Sequence, residues 1–189
     1  PLMLSTSIGG ANDDEMKRKM IHRTIKEHLD KELRLVPLGI KVLSLFFIDR
    51  VEYYRSYDSS GKPRMGKYGK MFEEEYAKII KEPRYDNLLK DKDSSHSITD
   101  IHNGYFSFEK KGGWAELDLD VEGNPKNQMS RENAERAYHI IMRDKEKLLS
   151  FETPLKFIFS HPALREGWDN PNVFQICALR DMDSEIERR

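Results

Sequence analysis

The chain has 189 residues, which is enough for one domain with an ordinary buried core, with or without an insertion. Its 32 basic and 33 acidic residues leave a net charge of −1, so any nucleic-acid contact must come from a local basic patch. The single cysteine, Cys177, excludes a disulfide framework and a cysteine-based metal site, and it fits a reducing, cytoplasmic location. No apolar run approaches the ~18 residues of a membrane span, and the first residues do not resemble a secretion signal.

The first predicted element is a long amphipathic helix. Residues 1–14 are interpreted as a linker or as residues left by cloning, and residues 12–15, Asn-Asp-Asp-Glu, supply a helix cap and acids for the first helical turn. Pro37 and Gly39 end the helix, and the apolar run 42–48 then predicts a strand covered on both faces. Basic residues lie between the helix's apolar positions, which recur at helical spacing: Met16, Met20, Ile21, Ile25 and Leu29.

Residues 56–70 are predicted to form a basic, glycine-rich loop. Its basic side chains are placed either to contact phosphates or simply to face solvent: Lys62, Arg64, Lys67 and Lys70. Residues 61–68 nearly match a phosphate-binding loop, but Tyr68 replaces the magnesium-binding hydroxyl and Pro63 removes one amide. We therefore reject that match.

The middle of the chain contains four further predicted segments. They are a helix over 72–80, an exposed polar insertion over 84–103, a hairpin formed by 104–109 and 114–119, and a helix over 130–150. Helical spacing of apolar residues indicates the helices, and alternation around Lys-Lys-Gly-Gly indicates the hairpin. His96, Asp100 and His102 fit no metal-ligand spacing, so no metal site is predicted.

Two apolar strands, 155–159 and 173–179, enclose the most informative segment. Between them the chain reads Ser-His-Pro-Ala-Leu-Arg-Glu-Gly-Trp-Asp-Asn-Pro-Asn, over residues 160–172. Ligands of open α/β sheets bind just outside the carboxyl ends of strands, which is where this loop must lie. Strands that alternate with helices also predict an α/β fold with a mainly parallel sheet.

The segment from Phe157 to Cys177 resembles motif V of superfamily 2 helicases and translocases. In its fuller form, Ser-His-x-Ala-Leu-Arg-Glu-Gly-Trp-Asp-Asn-Pro-Asn-Val-Phe-Gln, it is similar to the restriction (Res) subunit of type III restriction–modification enzymes. Residues 39–50 resemble motif IV, which opens the second RecA-like motor domain. The resemblance implies that 15–189 form part of that domain, with flanking helices and an inserted loop or hairpin, and stop before motif VI.

The resemblance also implies roles for individual residues. In motors of this superfamily, ATP lies between two RecA-like lobes, and the second lobe contributes motif V. Gly167, Asp169 and Arg165 would then face the nucleotide, while Ser160 and His161 would contact the nucleic-acid backbone. Two structural alternatives stay open, in which Asp169 only caps a turn and Arg165 only forms a surface ion pair.

At the level of function, the resemblance implies an ATP-dependent DNA translocase or helicase motor within a type III site-specific deoxyribonuclease. The intact subunit would use ATP and Mg²⁺, act on double-stranded DNA, and work with its first RecA-like lobe and a methyltransferase (Mod) subunit. This chain alone is expected to contribute no catalytic residue, hold no cofactor and be inactive, because phosphoryl transfer needs parts of both lobes. Two alternatives remain: a repair or remodelling helicase lobe without nuclease activity, and a non-catalytic α/β module that binds a partner.

Overall fold

The computed structural model describes residues 10–57, 63–90, 97–105, 107–110, 113–116, 148–160 and 172–179. Its helices are α1 (Gly10–Leu35), α2 (Lys67–Ile79) and α3 (Asp86–Lys90), and residues 148–149 are also helical. Its strands are β1 (Leu43–Ile48), β2 (Arg55–Tyr57), β3 (Pro63–Met65), β4 (His102–Tyr105), β5 (Ser107–Lys110), β6 (Gly113–Glu116), β7 (Phe157–Ser160) and β8 (Val173–Leu179).

Four of these strands form a parallel sheet in the order β4-β7-β1-β8. β1 pairs with β7 from Ser44↔Phe157 to Phe47↔Ser160, so the two strands end at the same edge of the sheet. Every residue of β1 is buried, as expected for a strand covered on both faces. The predicted α/β class, with a mainly parallel sheet and flanking helices, is confirmed.

Helices α1 and α2 cover one face of this sheet. The aromatic side chains of the strands stack there, with ring centroids 4.6 Å apart for Phe46 and Phe159, and Phe72 of α2 lies 4.8 Å from Phe157. Three of the five predicted apolar residues of α1 are fully buried against them: Ile21, Ile25 and Leu29. Burial of this much apolar surface is the main stabilising contribution to the fold.

A smaller apolar cluster covers the opposite face. Its strand residues alternate with those that face α1, and the cluster is completed by residues near the end of the 148–149 helical segment. Its buried members are Leu43, Leu45, Phe47, Leu148, Leu155 and Ile158. The central strands are therefore buried from both sides, which explains why their sequences are almost continuously apolar.

The bounds of α1 agree with the sequence at one end and differ at the other. The helix begins at Gly10, within the predicted linker, and it ends before Gly39, whose φ of 74° is left-handed. Two side chains break the predicted pattern: Met16 is 36% exposed, whereas Lys17 is only 2% exposed, with its ammonium 3.8 Å from Asp13.

The predicted loop at 56–70 is wrong in part. β2 and β3 pair antiparallel from Arg55↔Met65 to Tyr57↔Pro63, and α2 already begins at Lys67. A glycine is required at position 66, between β3 and α2, because a Cβ there would overlap the backbone of Glu52 and Tyr53. Within the near-match to a phosphate-binding loop, residues 63–65 form strand β3 and Lys67 begins α2.

The predicted exposed insertion at 84–103 is also wrong in part. Tyr85 is fully buried, and its hydroxyl donates to Asp30 of α1 at 2.7 Å. Ile101 is 8% exposed, and β4 follows it as a strand of the parallel sheet. A few well-spaced apolar residues anchor this polar segment, and such anchors produce no periodic signal.

The predicted hairpin is confirmed with shifted bounds, since β5 and β6 pair from Ser107↔Glu116 to Lys110↔Gly113. Its predicted first strand is divided, because residues 102–105 belong to the parallel sheet instead. The predicted helix over 130–150 lies outside the described residues except for 148–149 and Ser150. Among the described helices, none is long and apolar enough to cross a membrane.

Candidate functional site

The carboxyl ends of the parallel strands form the edge at which ligands of open α/β sheets bind. Ser160 is the last residue of β7, and it lies opposite Phe47 of β1 and Tyr105 of β4. β8 begins opposite Leu43, at the other end of β1. The motif V segment, 161–172, therefore leaves the sheet at its carboxyl edge and returns to it at the amino edge.

Five of the predicted site residues lie outside the described residues: Lys62, His161, Arg165, Gly167 and Asp169. The structure describes where their segments attach. The segment that carries four of them begins directly after Ser160, and Lys62 directly precedes β3. Ser160 itself is 0% exposed in this structure, and its predicted contact with nucleic acid remains a prediction.

Lys67 lies at the start of α2, close to the turn that follows β1. Its ammonium forms an ion pair with Asp14 at 2.7 Å and lies 4.2 Å from the ring centroid of Tyr53. Burial alone would lower the pKa of Lys67, but the hydrogen bond and charge of Asp14 raise it above its ordinary value. The exposed guanidinium of Arg50 lies 5.8 Å from the same Tyr53 ring, so two cations meet at this edge.

Arg64 lies on β3, opposite Ser56 of β2, and its side chain is exposed. It lines an open cavity of about 560 Å³ between the β2–β3 hairpin and the outer strand β4. Arg55 lines the same cavity and donates to the Asn103 side-chain oxygen at 3.2 Å. The cavity thus places two arginines beside β4, and the acidic residue Asp100 lines it as well.

A buried polar chain forms the wall between this cavity and the core. The Tyr54 hydroxyl lies 2.8 Å from Nδ1 of His102, and Nε2 of His102 lies 3.3 Å from Glu73. Burial lowers the pKa of His102, and the charge of Glu73 opposes that effect only in part. His102 therefore holds the hairpin, α2 and β4 together. Asp100, the other described member of the rejected metal set, accepts from the Ser97 amide at 2.8 Å.

Three polar residues at these positions are absent from the predicted site: Arg50, Arg55 and Asn103. Arg50 directly follows Asp49 at the end of β1, so the motif IV resemblance contained a signal for it. Arg55 and Asn103 are 48 positions apart, and only the pairing of β4 with β7 brings them together. No local pattern in the sequence reports that pairing.

Comparison with known proteins gives relatives of a single kind. No family model matches the sequence. The chain is 38% identical over 181 residues to the EcoPI Res subunit of Escherichia phage P1 and, with the same identity and length, to the EcoP15I Res subunit of Escherichia coli. It is 31% identical over 166 residues to the StyLTI Res subunit of Salmonella typhimurium. All three are described as type III restriction-modification enzymes.

These alignments cover the chain and its relatives very unequally. The first two span 93% of this chain but only 17% of each relative, and the third spans 79% of this chain and 15% of its relative. The chain therefore corresponds to about a sixth of the length of the curated proteins that it matches. The aligned part includes most of the sheet described above.

Proposed function

We propose that this chain forms part of the second RecA-like lobe of an ATP-driven DNA motor. The premise is that the chain belongs, over 93% of its length, to the family of type III restriction–modification Res subunits. In this proposal residues 15–189 supply motifs IV and V to the ATP cleft and to a DNA-contacting surface. The intact subunit would hydrolyse ATP with Mg²⁺ on double-stranded DNA, and it would act beside its first lobe and a methyltransferase subunit.

One observation supports this role more than any other. The motif V segment begins at the same sheet edge at which β1, the proposed motif IV strand, ends. β1 and β7, the strand that leads into motif V, therefore both end at the edge where open α/β sheets bind ligands. Gly167 would let the backbone approach a nucleotide closely, and Asp169 would accept from a ribose hydroxyl or orient an arginine of the neighbouring segment.

The proposed DNA contact rests on local charge, because the net charge is only −1. Arg50 and Lys67 flank Tyr53 at the carboxyl edge, and Arg64 is exposed on the adjacent hairpin. With Lys62, Ser160 and His161 these residues would contact phosphates and position the duplex. Binding through a few phosphate contacts should weaken steeply as salt is added.

The test of the nucleotide role is Asp169→Ala in the intact subunit. ATP turnover should fall by about 10- to 100-fold, because misplacement of one positioned group costs that much. The matched control is Asp86→Ala, which removes an exposed carboxylate on α3 and should leave turnover unchanged. Circular dichroism and thermal unfolding establish that both variants fold.

Wild-type ATP turnover in a folded Asp169→Ala subunit would show that Asp169 only caps a turn. Equal losses in both variants would show that the effect is not specific to the motif V carboxylate. Either result would remove the assigned role at this residue, while the relationship to Res subunits would stand.

A further inference from the structure

Two adjacent residues at the base of the β2–β3 hairpin are hydrogen-bonded to two adjacent residues of β4. The Tyr54 hydroxyl lies 2.8 Å from Nδ1 of His102, and the Arg55 guanidinium donates to the Asn103 side-chain oxygen at 3.2 Å. The backbone amide of Gly66, directly after β3, donates to the Tyr54 carbonyl at 2.7 Å. Both strands of the hairpin are therefore tied, through its base, to two neighbouring positions of the parallel sheet.

The second ring nitrogen of His102 determines the direction of its bond to Tyr54. Nε2 of His102 lies 3.3 Å from a carboxylate oxygen of Glu73 on α2, and an ionised carboxylate can only accept. Nε2 therefore carries the proton, and Nδ1 accepts from the Tyr54 hydroxyl. Burial lowers the pKa of His102, which favours this neutral form. The imidazole, with its side chain 1% exposed, thus links α2 to the base of the hairpin.

The hairpin carries cations that the proposed function assigns to DNA. Arg64 is exposed on β3, Lys62 directly precedes that strand, and Lys67 follows it at the start of α2. β2 and β3 have three residues each, and so short a hairpin is not stable by itself. Its orientation therefore depends on the contacts at its base, and the bonds to β4 are contacts of that kind.

We propose that the hydrogen bond between Tyr54 and His102 positions the β2–β3 hairpin so that Arg64 contacts a DNA phosphate. This inference rests on the proposed function, which supplies the DNA contact. A cation on an ordered support loses less conformational freedom on binding than one on a mobile support, so its contact is tighter. Asp100 lines the same cavity as Arg64, so the orientation of the hairpin also decides how far a carboxylate competes with phosphate for this guanidinium.

The test compares the loss of two buried tyrosine hydroxyls in the intact subunit. Tyr54→Phe removes the bond to His102 but keeps the ring, which stacks on Phe159 with centroids 4.4 Å apart. The matched control is Tyr85→Phe, which removes a hydroxyl that donates to Asp30 at 2.7 Å, away from the hairpin. Both rings stay in the apolar core, so both variants should fold, as circular dichroism checks.

Tyr54→Phe should weaken DNA affinity by about three- to tenfold, the equivalent of one hydrogen bond. It should also lower the slope of log affinity against log salt concentration by about 1, because one phosphate contact is lost. Amides of 64–65 should exchange at least about tenfold faster. Tyr85→Phe should change none of these three quantities. A hydroxyl that only stabilised the fold would leave the salt slope unchanged.

Unchanged DNA affinity and salt slope in a folded Tyr54→Phe subunit would overturn the proposal, as would equal weakening by both tyrosine variants. Arg64→Ala distinguishes this failure from failure of the proposed function. If Arg64→Ala weakens DNA binding and Tyr54→Phe does not, only the positioning role is refuted. If Arg64→Ala leaves DNA binding unchanged, the proposed DNA contact of the hairpin is refuted as well, whatever amide exchange shows about its order.

Discussion

The two edges of the parallel sheet differ in how far their ion-paired side chains are exposed to solvent. At the amino edge, Lys156 and Glu32 form an ion pair at 2.7 Å with side chains only 7% and 1% exposed. At the carboxyl edge, the ion pair between Lys67 and Asp14 has the same length, but its side chains are 35% and 44% exposed. Equal geometry thus occurs in two different solvent environments.

Other buried polar side chains surround the amino-edge pair, and each of them is hydrogen-bonded within the fold. His28 of α1 lies 2.8 Å from the Ser44 hydroxyl, which donates to Gln175 of β8 at 2.9 Å. The buried ammonium of Lys41 donates to two carbonyls of the 150–153 turn, at 2.7 and 2.6 Å. Buried polar groups need such partners, so this edge is closed by its own side chains. The carboxyl edge keeps its cations partly in water, where an external anion can reach them.

The largest stability effect should follow from Glu32→Ala at the amino edge. Removal of this carboxylate leaves the Lys156 ammonium buried without its ion-pair partner, so the free energy of unfolding should fall by about 3–5 kcal/mol. Equilibrium unfolding in guanidinium chloride measures this free energy. The matched control is Glu15→Ala, which breaks an exposed pair with Lys19 on the same helix and should leave the free energy of unfolding unchanged within the error of the measurement. Similar losses in both variants would contradict the distinction between the two environments.

An intermediate effect should follow from acid titration of Glu75, which joins α2 to α1. Burial alone would raise the pKa of Glu75, but hydrogen bonds from Lys78, His22 and Arg18 outweigh it and lower the pKa to about 2. A carboxyl with a depressed pKa stabilises the fold fully above its ordinary value of 4.5. That stability, about 3 kcal/mol, should be lost as the pH falls from 4.5 towards 2.

The variant Glu75→Gln isolates this effect, because unfolding free energies measured across that pH range should lose most of their slope. The control is Glu74→Gln, which removes a 55%-exposed neighbour that also binds Arg18, at 2.7 Å. Its pH dependence should match that of the unmodified chain. An unchanged slope in Glu75→Gln would mean that other carboxylates cause the acid sensitivity.

The smallest stability effect is expected at the carboxyl edge. Lys67→Ala and Asp14→Ala should each lower the free energy of unfolding by less than about 1 kcal/mol, because the pair is partly exposed. Their effects on DNA affinity should differ, since only Lys67 carries a positive charge towards phosphates. In the intact subunit, Lys67→Ala should weaken DNA binding, whereas Asp14→Ala should leave it unchanged or tighten it. Equal weakening by both variants would mean that Lys67 acts only through its ion pair.

Elements with a strong local pattern were predicted from the sequence. The helical spacing of the α1 stripe from Ile21 to Leu29 and the unbroken apolar run of β1 are local patterns, so burial could be inferred without knowing the partner. The start of the motif V segment at the carboxyl end of β7 also followed, because parallel strands end at a common edge. β4 was predicted only in part, since residues 104–105 belong to the first strand of the predicted hairpin and residues 102–103 to the predicted insertion. Its pairing with β7, which decides its place in the parallel sheet, has no local pattern in the sequence.

The amino-acid pattern was sufficient for the α/β class and the relation to Res subunits, since each depends on residues that are close in the chain. Tertiary structure decided which charges are buried. Lys17 and Lys156 look like surface residues in the sequence, yet they are 2% and 6% exposed. Glu32 and Lys156 are 124 positions apart, and only the packing of α1 on the sheet removes both from water and makes their pairing necessary.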